Sequence, residues 1–218
     1  MRRLCSWALL LLLSLGILVQ GCGVFTTYQS ARVLPPGHAA PGLEVGLGAT
    51  PAAAGWKPLM LDLGPVVRVG LGKDIDLGVR PTLLYADVKY QFRKGPWSAA
   101  FDFGVSYLPP ANAGWDYPNI FEDLGLYPAL LFSSGPWTYG ARVIYLRQVE
   151  DGHATTFLMP GVVAGLSIGR RFRFVPGIGL YFCSTSEPGD ALPLAFGLGF
   201  GFEYELGRQT APPASKDQ

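Results

Sequence analysis

Two histidines, three cysteines and a scatter of acids and bases are the residues of this chain with obvious chemical capacity. His153 follows Asp151-Gly152 and stands near Thr155; Ser184, Ser186, Glu187 and Asp190 form a second polar group further on. A base beside a hydroxyl nucleophile and an orienting carboxylate is what hydrolysis or acyl transfer requires. A His/Ser/Asp site with His153 as base is therefore one reading, although no spacing ties these residues together. His38 lies apart, in a proline-rich stretch. No His/Cys spacing of the zinc or iron kind occurs. Gly-x-Gly pairs are frequent but follow no phosphate-loop or dinucleotide pattern. No cofactor is expected. Cys5 and Cys22 belong to the apolar N-terminus, which leaves Cys183 without an intramolecular disulfide partner and expected as an inert, half-buried thiol at a strand end.

The charged residues are more informative, because they recur at every second position opposite large apolar ones. Asp62 and Arg68 alternate with Leu61, Leu63, Val67 and Val69. Asp76 and Arg80 alternate with Ile75, Leu77 and Val79. Asp87 and Lys89 alternate with Ala86, Val88 and Tyr90, and Asp102 stands between Phe101 and Phe103. In the last such segment Leu198, Phe200, Phe202 and Tyr204 oppose Gly199, Gly201, Glu203 and Glu205. Period-two alternation marks strands with two unlike faces. Here the bulky face is apolar, and the other holds glycine and charge, so the polar face must point into a narrow space. The inward set is expected to collect Glu44, Asp62, Arg68, Asp76, Arg80, Asp87, Lys89, Asp102, Asp123, Arg142, Arg173, Glu203 and Glu205 as a mutually paired network, since unpaired buried charge is costly. With a turn at Thr82-Leu83, Asp76 falls opposite Lys89 and Arg80 diagonal to Asp87. A cation-conducting lumen is the alternative.

Composition agrees with strands that face an apolar medium. Only 15% of residues are charged, against about 25% in typical soluble domains, while glycine and aromatics are abundant. Of the 17 Lys+Arg, Arg2 and Arg3 lie at the extreme N-terminus, so the remainder is close to balance with 16 Asp+Glu. Nothing points to nucleic acid or to a basic partner. Arg2-Arg3 precede a nearly unbroken apolar stretch from Trp7 to Val19, too short for a comfortable transmembrane helix and suited to a signal-peptide core. It ends in Leu18-Val19-Gln20-Gly21-Cys22. This resembles the lipobox of bacterial lipoprotein signal peptides, which implies lipidation of Cys22 as the first mature residue. Gly23 in place of Asp implies the outer membrane as destination.

Ten strands are expected: Leu43–Ala49, Leu59–Leu71, Ile75–Arg80, Leu84–Phe92, Trp97–Tyr107, Asp123–Phe132, Trp137–Arg147, Thr155–Ile168, Phe172–Phe182 and Leu192–Leu206. Eight is the alternative. Short turns at Gly72-Lys73-Asp74, Arg93–Pro96, Ser133–Pro136 and Gly169–Arg171 alternate with longer connections at Thr50–Pro58, Leu108–Asn119, Gln148–Ala154 and Cys183–Ala191; the brief turn around Thr82 is the exception. Trp97 and Trp137 would mark one membrane interface, and Tyr107, Tyr145, Phe157 and Phe182 the other. In all this the chain resembles small bacterial outer-membrane β-barrels, which implies an all-β, up-and-down, antiparallel transmembrane barrel with both termini periplasmic. The aromatic C-terminal residue common in such barrels is displaced here by Gly207 to Gln218.

The organisation that follows is a leader at 1–21, a lipidated N-terminus and linker at 22–42, a barrel at 43–206, and a disordered periplasmic tail at 207–218. Expected partners are outer-membrane lipids and the barrel-assembly and lipoprotein-sorting machineries. The expected role is non-enzymatic, as a structural, surface or weakly conducting barrel. The alternatives are a lipid-modifying hydrolase or acyltransferase at the rim, and a lipid-anchored soluble calyx for an apolar ligand.

Overall fold

The computed structural model describes residues 29–52, 55–80, 84–107, 124–150, 153–185 and 194–207. Its strands are β1 (Ala39–Ala52), β2 (Gly55–Gly72), β3 (Ile75–Arg80), β4 (Tyr85–Arg93), β5 (Trp97–Tyr107), β6 (Leu124–Ser134), β7 (Trp137–Glu150), β8 (His153–Leu166), β9 (Phe172–Tyr181), the two-residue β10 (Ser184–Thr185) and β11 (Ala195–Tyr204). From β1 to β9 each strand pairs antiparallel with its successor, and β11 pairs with both β9 and β1. The sheet therefore closes into a ten-stranded up-and-down barrel with no free edge, which removes the unpaired backbone groups an open sheet would present. β10 only extends the wall, pairing with Phe157 and Leu158 of β8.

Alternation along each strand sorts side chains as the sequence suggests. In β3, Asp76, Gly78 and Arg80 are buried while Val79 is exposed; in β4, Asp87, Lys89 and Gln91 are buried while Val88, Tyr90 and Phe92 are exposed. The outside is apolar, with Leu198 at 51% and Phe182 at 66% exposure. The inside is packed. Its apolar part unites Tyr85, Tyr127, Leu131, Ile144, Met159 and Tyr181, with Phe157 and Cys183 against them. Phe157 is thus an inward residue and not part of an outer girdle. Around Val143–Leu146 both faces of β7 are apolar, Ile144 and Leu146 inward, which is why alternation fades there.

Two connections expected to be long are instead strand. β1 and β2 stay paired to Ala52 opposite Gly55, and β7 and β8 to Glu150 opposite His153. Pro51 and Pro58 suggested a loop. Both lie past the end of the outer ladders, β1 to β11 ending at Ala49 and β2 to β3 beginning at Val67, so a missing N–H costs no bond on that side. Leu108–Asn119 and most of the connection after Cys183 lie outside the described residues, as do Thr82-Leu83 of the β3–β4 turn. Leu84 sits just after that turn at φ 43, so β4 begins one residue later than its alternation suggested.

The N-terminal side differs most from expectation. β1 starts at Ala39, pairing with Val69 and bridging to Leu206, so pairing extends beyond Leu43. Just before it, Pro35 to His38 form a turn closed by the His38 N–H to the Pro35 carbonyl at 3.1 Å, with Gly37 at φ 74. Proline second and a left-handed glycine third is the type II pattern. This turn folds the preceding chain back into the barrel mouth, where Ala31 and Leu34 are buried.

Candidate functional site: a stoppered, charged lumen

The charged inner wall is assembled by register. Asp76 stands opposite Lys89, Gly78 opposite Asp87, and Arg80 opposite Tyr85, which leaves Arg80 diagonal to Asp87 as the hairpin reading requires. Lys89 Nζ lies 3.3 Å from Asp76. Arg68, across β3 on β2, donates to both Asp76 and Asp87 and so links the two carboxylates. Gly78 lies beneath this bridge; a Cβ there would strike the Arg68 guanidinium and the Asp87 carboxylate. Arg80 finds its acid on β1, Glu44 at 2.5 Å, and stacks over the Tyr85 ring at 4.8 Å. Arg142 lies over the Tyr127 ring at 5.3 Å. Asp102, opposite Lys89 on β5, is buried, and its Oδ1 has no hydrogen-bond partner among the described residues. Arg173 and Glu203 pair at 3.0 Å nearer the mouth.

Glu205 is placed differently from the rest. It forms a half-exposed pair with His38 at 3.0 Å, beside the turn that leads into β1. It therefore closes the rim and takes no part in the central network. Asp123 lies outside the described residues.

The residues before Leu43 are expected as a linker; in the structure Gln29–Leu34 form a plug. The Leu34 N–H donates to Asp76 Oδ2 at 3.2 Å, the Val33 N–H to Gln91 Oε1 at 3.2 Å, and the Ala31 N–H to Ser133 Oγ at 2.8 Å. Lys89 Nζ donates to the Ser30 carbonyl at 3.1 Å. Wall side chains thus satisfy the plug's backbone, as a buried segment without strand pairing demands. Space comes from Gly70, whose missing side chain lets the Leu34 and Pro35 carbonyls approach. The signs in the sequence were the turn-forming Pro35-Pro36-Gly37 and a surplus of inward hydrogen-bonding groups on the wall, Gln91, Ser133 and Thr138.

The hydroxyls and carboxylates proposed for a rim enzyme are not brought together in the described structure. His153 begins β8 opposite Glu150, Ser184 pairs with Leu158 five residues further along β8, and Ser186, Glu187 and Asp190 lie outside the described residues. Cys183 is free and half-buried, and burial pushes its thiol pKa up.

No family model matches the chain, and no curated protein matches it. Among solved structures it is similar to Neisserial surface protein A, at 13% identity and TM-score 0.38, over 77% of this chain and 98% of that one. It is also similar to Ail, the attachment invasion locus protein of Yersinia pestis, at 10% identity and TM-score 0.33, over 79% of this chain and 100% of that one.

Proposed function

We propose that this chain is a bacterial outer-membrane β-barrel lipoprotein with a non-enzymatic, structural or surface role, whose lumen is stoppered by its own N-terminal segment. The observation that carries this reading is inverted polarity. Large side chains such as Leu198, Phe200 and Val162 face outward around a closed wall, while Arg68, Asp76, Asp87 and Lys89 are buried within it. In water that arrangement would expose apolar surface all around the barrel; in hydrocarbon it is the stable one. A soluble calyx for an apolar ligand would need the opposite arrangement, and a conducting pore would need the plug to leave.

The segments that enter and leave the barrel, at Ala39 and Leu206, meet at one mouth, which supports placing that mouth on the periplasmic side as in barrels of this kind. Cys22 precedes the buried Gln29 by seven residues, a reach of at most about 24 Å. A diacylated Cys22 is therefore compatible with anchoring in the inner leaflet beside that mouth, and more than one chain makes an anchor stable.

Spin labels placed singly from Leu194 to Tyr204 test the reading. Labels at 194, 196, 198 and 200 should meet a lipid-soluble quencher, and those at 195, 197 and 199 should not. Uniform protection of the first set would overturn the membrane assignment. Independently, a fatty-acid analogue fed to cells should label the wild type and miss Cys22→Ser. Both forms should remain in the membrane, because the strands and not the acyl chains hold the barrel there.

A further inference from the structure

Beyond the structural role, the stoppered mouth contains a cavity of about 360 Å³ that neither the charge network nor the plug contacts explain. It is bounded by Ser30 and Arg32 of the plug, by Gly135-Pro136 of the β6–β7 turn, and by Ser167, Gly169, Arg170 and Arg173 at the β8–β9 turn. Three arginines and two serines therefore line one space, with the Ser30 hydroxyl bonded to the backbone of Arg32. Arg173 is already paired with Glu203 at 3.0 Å, whereas Arg32 and Arg170 have no acidic partner among the described residues. Two arginines with no acidic partner among the described residues, both lining a polar cavity, set up an anion site, and the planar fork of arginine donors matches the oxygens of a phosphate. The cavity is several times larger than a single water needs and has room for a phosphate group.

We propose that this cavity binds a phosphate group and that the bound anion latches the plug to the barrel wall. Arg32 belongs to the plug, while Arg170 belongs to the connection between β8 and β9. An anion held between them joins plug and wall through charge-assisted hydrogen bonds where no direct bond could form between like charges. The depth suits a lipid source as well as a soluble one. Trp137 and Phe172, at the strand ends that flank the same turns, are 59% and 57% exposed on the outer surface, as aromatic residues at a headgroup boundary are.

The test uses the full mature protein in zwitterionic detergent, with radiolabelled inorganic phosphate as one probe. Phosphatidylglycerol, against phosphatidylcholine in nanodiscs, is the other. Saturable binding to the wild type is expected. Arg32→Gln and Arg170→Gln should each weaken it about tenfold or more, as loss of a charge-assisted bond does. Arg171→Gln, an exposed neighbour that does not line the cavity, should change it little. Retained heat-modifiable migration verifies that each variant is folded. Phosphate should also slow tryptic cleavage after Arg32 in the wild type and not in Arg170→Gln. Tight phosphatidylglycerol retention that free phosphate displaces poorly identifies a lipid headgroup; equal binding of free phosphate identifies a soluble phosphate. No saturable binding of either probe in the millimolar range, or equal weakening by Arg171→Gln, overturns the proposal. Because the phosphate arm runs in detergent, its failure leaves the membrane reading untouched, and loss of the membrane reading would not remove the cavity.

Discussion

Asp76 is the residue on which most of the inner wall depends. It accepts from Arg68 and from the Leu34 N–H, and it faces Lys89 at 3.3 Å. Removing its charge takes a carboxylate partner from two buried cations at once, and breaking a buried pair from one side costs roughly 3–5 kcal/mol. Asp76→Asn should therefore lower unfolding stability in lipid vesicles by about that much, read from urea titration. Lys89→Gln added to it should recover only part of the loss, because Arg68 still lacks one acceptor and the Ser30 carbonyl loses its donor. Strictly additive effects would mean that Asp76 and Lys89 are not coupled. Cys183 makes the opposite kind of statement. Its thiol is packed among the inward apolar side chains and its pKa is raised, so at neutral pH a thiol reagent should label the folded protein more slowly than the urea-unfolded one.

The plug is the element whose stability depends on others. Its backbone is held by Asp76, Gln91, Ser133 and Lys89, and Ala31 is wholly buried. Two substitutions should expel it by unrelated routes. Ala31→Asp places an unpaired charge in an apolar contact. Gly70→Val, on the wall, occupies the space that the Leu34 and Pro35 carbonyls now fill. Both should speed tryptic cleavage after Arg32 severalfold while leaving the barrel folded by heat-modifiable migration. Unchanged cleavage in both would show that the wall does not hold this segment. β11 tests the wall itself. Leu198 is an outward residue, and arginine at a mid-membrane lipid-facing position costs roughly 2–4 kcal/mol, so Leu198→Arg should fold poorly while Leu198→Phe should be nearly silent.

Across the whole molecule, closure and filling solve one problem. A ten-stranded wall leaves a lumen too wide to be filled by the side chains of one strand layer, and this chain fills it in two ways. Tyrosines and aliphatic residues from β4, β6, β7, β8 and β9 pack one part, and paired charges with the plug pack the other. Such a lumen should conduct poorly. Wild type in planar bilayers should show little sustained current, and Gly70→Val should show more frequent openings. A large steady conductance in the wild type would contradict a seated plug.

Strand positions, the inward and outward faces, and the Asp76–Lys89 register were legible in the sequence, because a period of two is local and a tight hairpin transmits it without slippage. Other features were decided only by the closed barrel. Pro51 and Pro58 read as loop residues until the outer ladders were seen to end before them, since a proline's cost depends on whether a partner awaits its missing N–H. Phe157 and Ile144 belong to strands apolar on both faces, where alternation carries no sign and only curvature says which side is inside. Glu205 shares the parity of Glu203, but sits past the last rung of β11 where the lumen has become rim. The segment from Gln29 to Leu34 carries no periodicity at all. Its structure is imposed from outside, by wall side chains that are distant in sequence and that meet only when β11 closes on β1.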